Sequence, residues 1–144
     1  MAQKLNIGCG LDKRPGYVNI DHSDNLNPDL VWDLEQTPWP FEDNSIDEIV
    51  AFHVLEHVGQ STKVFFAIIQ ELYRICQDGA LIDIRVPHPR HDDYLSDPTH
   101  VRPITEQTLR LFDRQLNHRW AQLGYADSQL GLILNVDFEI EHSA

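Results

Sequence analysis

Gly8-Cys9-Gly10 closes a short apolar run from Lys4 to Cys9, and a second run, Tyr17 to Asp21, ends in a carboxylate. Glycines at a strand end let backbone amides approach a ligand closely, because no Cβ stands between them. A carboxylate at the end of the neighbouring strand can accept hydrogen bonds from the two hydroxyls of a ribose. Asp33, in a third run from Leu30 to Leu34, adds another acid at the same edge. The carboxyl ends of strands are where an open α/β sheet takes its ligand. A glycine turn alone also ends many strands that bind nothing, so the two acids carry the nucleoside reading. Cys9 has no base beside it in the sequence, and reads as a small residue in a tight turn.

Histidine is abundant, at eight residues, and five of them fall in two groups. His53, Glu56 and His57 follow a fourth apolar run, Ile46 to Phe52. On a helix, His53 and His57 would share one face, as a metal-binding pair, as a base and its neighbour, or as two ordinary polar residues at the sheet's edge. The second group is His88, His91, Asp92, Asp93, Asp97 and His100, within a proline-containing loop. Its composition suits a divalent ion, a lid over a ligand, or substrate recognition. No metal is assigned to either group.

These residues need a scaffold of alternating elements. Ser61 or Thr62 caps a helix whose apolar positions Val64, Phe65, Ile68, Ile69, Leu72 and Ile75 recur at helical spacing, from Ser61 to Gln77. Leu81 to Val86 is a fifth strand, stopped by Pro87. Thr105 caps a second helix, to His118, and the tail from Leu130 to Ile140 has strand character. The first, second and fifth strands alternate polar and apolar residues, whereas parallel strands covered on both faces read as continuous apolar runs. Only Leu11 to Gly16 separate the first turn from the second strand, and a crossover helix needs roughly a dozen residues. Two helices of a doubly wound sheet are therefore missing, both from one face.

The chain has 144 residues, 42% of them hydrophobic, enough for one ordinary domain with a core. Its formal charge of -12 disfavours nucleic acid and anionic membranes as partners. No apolar run reaches the length of a membrane span. The start, Met1 to Asn6, holds no signal-peptide core, and two cysteines make no disulfide framework. A soluble cytoplasmic protein is expected.

The runs KLNIGCGLDKRPGYVNID, VWDLEQTPWPFEDNSIDEIVAFHVLEHV and ELYRICQDGALIDIRVP, in this order and spacing, resemble class I S-adenosylmethionine-dependent methyltransferases, more narrowly their small bacterial branch. The resemblance covers roughly residues 4 to 105. It implies a Rossmann-like α/β fold with a mainly parallel sheet in the order 3-2-1-4-5, reduced here by the helices lacking on one face. It implies that Gly8, Cys9 and Gly10 hold the methionine end of S-adenosylmethionine, that Asp21 binds the ribose with His22 beside the adenine, and that Asp33 and Leu34 frame the adenine. Phe52, His53 and Val54 would run beside the sulfonium. Asp12 stands where the family pattern has its third glycine. Without a helix after the turn, no helix N-terminus is offered to the cofactor carboxylate.

The expected activity is methyl transfer to a small-molecule or sugar-like acceptor. Its rivals are a binding or regulatory protein of the same fold without turnover, and a metal-dependent hydrolase centred on His88, His91, Asp92 and Asp93. A hydroxyl acceptor must lose its proton, for which histidine is suited, and His53, His57 and His100 are the candidate bases. His88 and Arg102 are the expected acceptor-binding residues, with Arg102 alternatively paired to a nearby aspartate. Trp39, Pro40 and Phe41 are expected under the adenine side. The face bearing Lys4, Asn6, Tyr17 and Asn19 has no helix, which would expose Tyr17 and nearby Trp32. Twofold pairing across it, or through the strand at Gly131 to Ile140, predicts a homodimer.

Overall fold

The structure, a computed structural model, describes residues 3–144; Met1 and Ala2, which open the run read as lacking a leader, lie outside the described residues. Five parallel strands form one sheet: β1 (Gln3–Ile7), β2 (Val18–Asp21), β3 (Leu30–Val31), β4 (Ile46–Phe52) and β5 (Cys76–Arg85). Their spatial order is β3-β2-β1-β4-β5, the order expected of the family topology. No helix among the described residues is long and apolar enough to cross a membrane.

Register explains the alternation. Leu5 pairs with Val18 and Ile49, and Ile7 with Ile20 and Ala51, so the apolar residues of three strands share one face. Helix α1 (Thr62–Ile75) covers that face with Phe65, Ile68, Ile69, Leu72 and Ile75, all in one core cluster with the strand residues. Ser61 caps it, its hydroxyl accepting from the Val64 N–H, one of the orphan donors of a helix start. The strand after α1 begins earlier than its apolar run predicts. Cys76 pairs with Ile46, and the ladder resumes only at Leu81 opposite Glu48, with Gly79 at φ +80° in the bulge between. Burial pushes the Cys76 thiol up to about 12, which makes it unreactive.

The expected second helix, Thr105 to His118, is two: α3 (Glu106–Arg110) and α4 (Arg114–Leu123). Asp113 breaks the pattern, because its carboxylate accepts from the Leu116 N–H and starts α4 afresh. The break turns Phe112 into the core, with ring centroids 6.4 Å from Phe65 and 6.5 Å from Phe66. Both helices thus join the face that α1 occupies. A four-residue helix, α2 (Asp92–Leu95), lies in the loop after β5. The tail is not a strand. Leu130–Leu134 is a short helix, α5, ended by Asn135 at φ +57°. Gly131 fits where a Cβ would meet Asn117 Oδ1 at 2.9 Å, and the buried Asn117 accepts from the Leu132 N–H.

The face without helices is not wet at its centre. Asn6 and Asn19, register partners on β1 and β2, are buried beneath the loop from Leu11 to Gly16. Asn6 Nδ2 donates to the Asp12 carbonyl at 2.7 Å and to Asn19 Oδ1 at 2.9 Å, and Asn19 Oδ1 also accepts from the Arg14 N–H. Asn19 donates in turn to the Arg14 carbonyl and to Asp29. A loop whose backbone polar groups are met by side chains of the sheet takes the place of a helix. Further out, Tyr17 Oη donates to Glu48 at 2.5 Å, and Lys4 pairs with Glu48 at 3.1 Å. The Glu48 carboxyl is held below its usual range by these two partners. Trp32 is half-buried against the core, its indole N–H donating to the Gln36 carbonyl. Tyr17 and Trp32 are therefore engaged within the chain, and the tail supplies no free strand. Both reasons for expecting a homodimer are removed.

Candidate active site

The turn after β1 and the ends of β2, β3 and β4 meet at the carboxyl edge of the sheet. Gly8 (φ +62°) and Gly10 (φ +52°) both take the left-handed conformation. At Gly8 a Cβ would lie 2.5 Å from Val54 Cγ2, so glycine is needed both for φ and for close approach to the β4 exit. Gly8→Ala should cost about 2 kcal/mol from left-handed strain and crowding, read as a lower urea midpoint with an unchanged slope. Gly10 faces open space, and Leu11 beside it is 90% exposed.

Asp21 ties this turn together. Its Oδ2 accepts from the Gly10 N–H and its Oδ1 from the Ser23 N–H, each at 3.0 Å. A strand-end carboxylate is expected to be solvated; Asp21 is instead only 7% exposed. Each oxygen keeps acceptor capacity beyond these bonds. His22 is exposed, its Nδ1 3.4 Å from Asp21 Oδ1. Asp33 lies beyond the short β3, exposed, with its Oδ1 accepting from the Glu35 N–H. Leu34 and Trp39 belong to the core, where the Trp39 indole donates to the Leu34 carbonyl, so neither offers a surface to an adenine ring. Cys9 is buried, and burial together with the Asp21 carboxylate pushes its thiol up, away from nucleophile character.

The exit of β4 is less regular than a helix. His53 sits at φ +57° with its N–H bonded to the Arg85 carbonyl, and its side chain is 68% exposed. Phe52 points to the helix-free face, where the guanidinium groups of Arg85 and Arg14 stand 4.0 and 4.8 Å from its ring centroid. Glu56 is 1% exposed, and neither carboxylate oxygen has a hydrogen-bond partner. His53 Nδ1 lies 3.9 Å and His57 Nε2 3.7 Å from Glu56 Oε1. The loop after β5 brings His100 against them, its ring centroid 4.5 Å from that of His57. Sequence spacing assigned His100 to the set with His88 and His91; the fold assigns it to Glu56 and His57.

Arg102 is engaged within the chain and pairs with no aspartate. Its guanidinium donates to the Val58 carbonyl at 2.7 Å and the Gly59 carbonyl at 2.5 Å, over the Phe65 ring. Desolvation there lowers its pKa. It ties the loop after β5 to the segment after β4. His88 and His91 are exposed and use Nδ1 locally, accepting from the Arg90 and Asp93 N–H groups. They do not converge with Asp92 and Asp93 into a ligand set, which removes the basis of the hydrolase reading.

Residues 3–83, more than half of the chain, match the family described as "Methyltransferase domain". The chain belongs to that family. Among solved structures, this methyltransferase-family chain is similar to a SAM dependent methyltransferase from Archaeoglobus fulgidus, with 20% identity and a TM-score of 0.64 over 76% of this chain and 57% of that one. It is also similar to the [4+2]-cyclase SpnF, with 19% identity and a TM-score of 0.53 over 75% of this chain and 48% of that one. At these identities the likeness is one of fold. The chain thus spans about half the length of the structures it resembles. A search of curated proteins finds no match.

The features present fit a nucleoside. Gly10 leaves the turn open where a side chain would intrude, and Asp21 is fixed beside it with lone pairs to spare. The Asp12 N–H bonds back to the Cys9 carbonyl, closing the turn without a helix, so the amino-acid end of a cofactor meets few donors.

Proposed function

We propose that the protein transfers a methyl group from S-adenosylmethionine to a small-molecule acceptor, sugar-like in its hydroxyl chemistry. The observation that carries this reading is the bond between the Gly10 N–H and Asp21, which joins an open glycine turn to an acid at the next strand end. Gly8, Cys9 and Gly10 line the methionine end, Asp21 the ribose, and His22 and Asp33 the adenine. When bound, the cofactor supplies an electrophilic methyl on sulfur. Alignment of acceptor and methyl is the main contribution of such a site. His53 is the base in this scheme, because its ring reaches solvent at the β4 exit while Glu56 stands behind it to stabilise the protonated form. His100, its side chain 7% exposed, and His57, held by Thr99, form the wall behind it. His88 lies where the lid leaves β5 and faces the acceptor.

The fold alone does not dictate the reaction, as a cyclase of this fold illustrates. The test is direct. S-adenosylmethionine should raise the melting temperature, and an acceptor panel should yield S-adenosylhomocysteine. Stabilisation without turnover on any hydroxyl acceptor would favour the binding protein; no stabilisation would remove the reading. His53→Ala should lower kcat about 100-fold, within the usual range for loss of a general base, with KM for the cofactor unchanged.

A further inference from the structure

The group formed by Glu56, His57 and His100 has a property that the methyl-transfer reading does not use. His100 Nδ1 lies 2.7 Å from the Tyr94 carbonyl. A carbonyl only accepts, so Nδ1 carries the proton and Nε2 of the neutral ring presents a lone pair. His57 Nδ1 lies 2.9 Å from Thr99 Oγ1, and that hydroxyl already donates to Asp97 Oδ1 at 2.7 Å. Thr99 must therefore accept from His57, which again leaves Nε2 as a lone pair. His57 Nε2 lies 3.7 Å from the Glu56 carboxylate, which is buried and unpartnered, and His100 offers a ring nitrogen within 4.8 Å of both. Asp97 Oδ2 stands 3.7 Å from His100 Nε2. Acceptors converge here with no donor among them.

We propose that Glu56, His57 and His100 bind a divalent transition ion of the zinc class, with Asp97 as the adjoining fourth oxygen. The three ligand atoms lie within 4.8 Å of one another, the one such group among the described residues. Bonds of about 2.1 Å to a tetrahedral ion place ligand atoms roughly 3.4 Å apart, so closure needs about an ångström of movement. Two histidines with a carboxylate suit this class of ion. The outer nitrogens are already held by Tyr94 and Thr99, as ligating histidines require. Glu56 and His57 leave β4 whereas His100 and Asp97 belong to the lid, so the ion clips the lid to the sheet. His53 stays outside the set. Glu56 also stands behind His53 in the proposed methyl transfer, so the site is tested by metal uptake alone, without cofactor.

The test titrates the metal-stripped full chain with cobalt(II) alone, followed by visible absorption and calorimetry, then repeats with zinc(II). One ion per chain is expected, with a higher melting temperature. Glu56→Gln and His57→Asn should each weaken uptake at least 100-fold, and exposed Thr99→Val should weaken it 10–100-fold through loss of ring orientation. His88→Ala and His91→Ala should leave it unchanged. No stoichiometric uptake by the wild-type chain would overturn the proposal. So would uptake unaltered in His57→Asn and Thr99→Val, or uptake abolished by His88→Ala or His91→Ala.

Discussion

Asp21→Ala should bind nucleoside less tightly and also melt earlier. Removing the carboxylate strands two partly buried N–H donors, those of Gly10 and Ser23. An unsatisfied buried donor costs about 1–3 kcal/mol, and water reaches these two in part, so the variant should lose about 2 kcal/mol of stability. Loss of charge-assisted bonds to a ribose should lower affinity about 10–100-fold. The two effects separate in Asp21→Asn, whose single carbonyl oxygen can satisfy one N–H but brings an NH2 toward the other. That variant should recover part of the stability with little of the affinity. Calorimetry with S-adenosylhomocysteine and urea denaturation read the two independently. Undiminished affinity in a folded Asp21→Ala chain would remove the ribose assignment.

Arg74→Ala should destabilise by about 3 kcal/mol, at the opposite end of the strands from the site. Arg74 donates to Glu71 through Nε at 2.6 Å and Nη2 at 2.9 Å, to Asp43 at 2.8 Å, and to the carbonyls of Phe41 and Trp39. Glu71 is buried and accepts from the Trp39 N–H at 2.5 Å. Taking one partner from a buried pair typically costs ~3–5 kcal/mol; the arginine side chain is 27% exposed, which favours the low end. Burial alone would raise the Glu71 pKa, but Arg74 and the Trp39 N–H hold it below the ordinary value of 4.5. A carboxylate with a lowered folded-state pKa contributes stability above its unfolded pKa and loses it as pH falls through the folded value. The gap between wild type and Arg74→Ala should thus be full at neutral pH and shrink below about pH 4.5. Denaturant midpoints across that range would show it. A gap independent of pH would assign the loss to packing.

The glycine turn and the acid at the end of β2 were legible because each is written in local pattern, whereas the strand order came only through the resemblance to class I methyltransferases. The tail was not. Leu130-Gly-Leu-Ile-Leu is a short apolar run that periodicity cannot assign to strand or helix, and the deciding contact is Gly131 against Asn117, distant in sequence. The division between α3 and α4 had a signal, Asp113 as a cap, outweighed by an uninterrupted apolar stripe. Leu34 was assigned to the site through the resemblance, but β3 ends at Val31 and the chain turns inward there. His100 was grouped by nearness in sequence with histidines that the fold separates from it. Glu56 was visible as part of a trio. That it is buried without a donor, and that two lone pairs face it, depends on hydrogen bonds from Thr99 and Tyr94 that no spacing encodes.

The loop that replaces a helix over Asn6 and Asn19 also shortens the path between two parallel strands. β1 reaches β2 through Gly8 to Tyr17 alone, whereas β1 reaches its other neighbour, β4, only across the sequence from Leu5 to Ile49. Closure entropy grows with the length of chain enclosed. The β1–β2 pair is therefore the inexpensive one to form, and β4, α1 and β5 make a second unit of consecutive segments. Joining the two along the β1–β4 seam is the long-range step, and such steps govern folding speed more than total size does. With a loop in place of that helix the β1–β2 pairing is nearly local, which leaves the β1–β4 seam as the long-range pairing of the sheet.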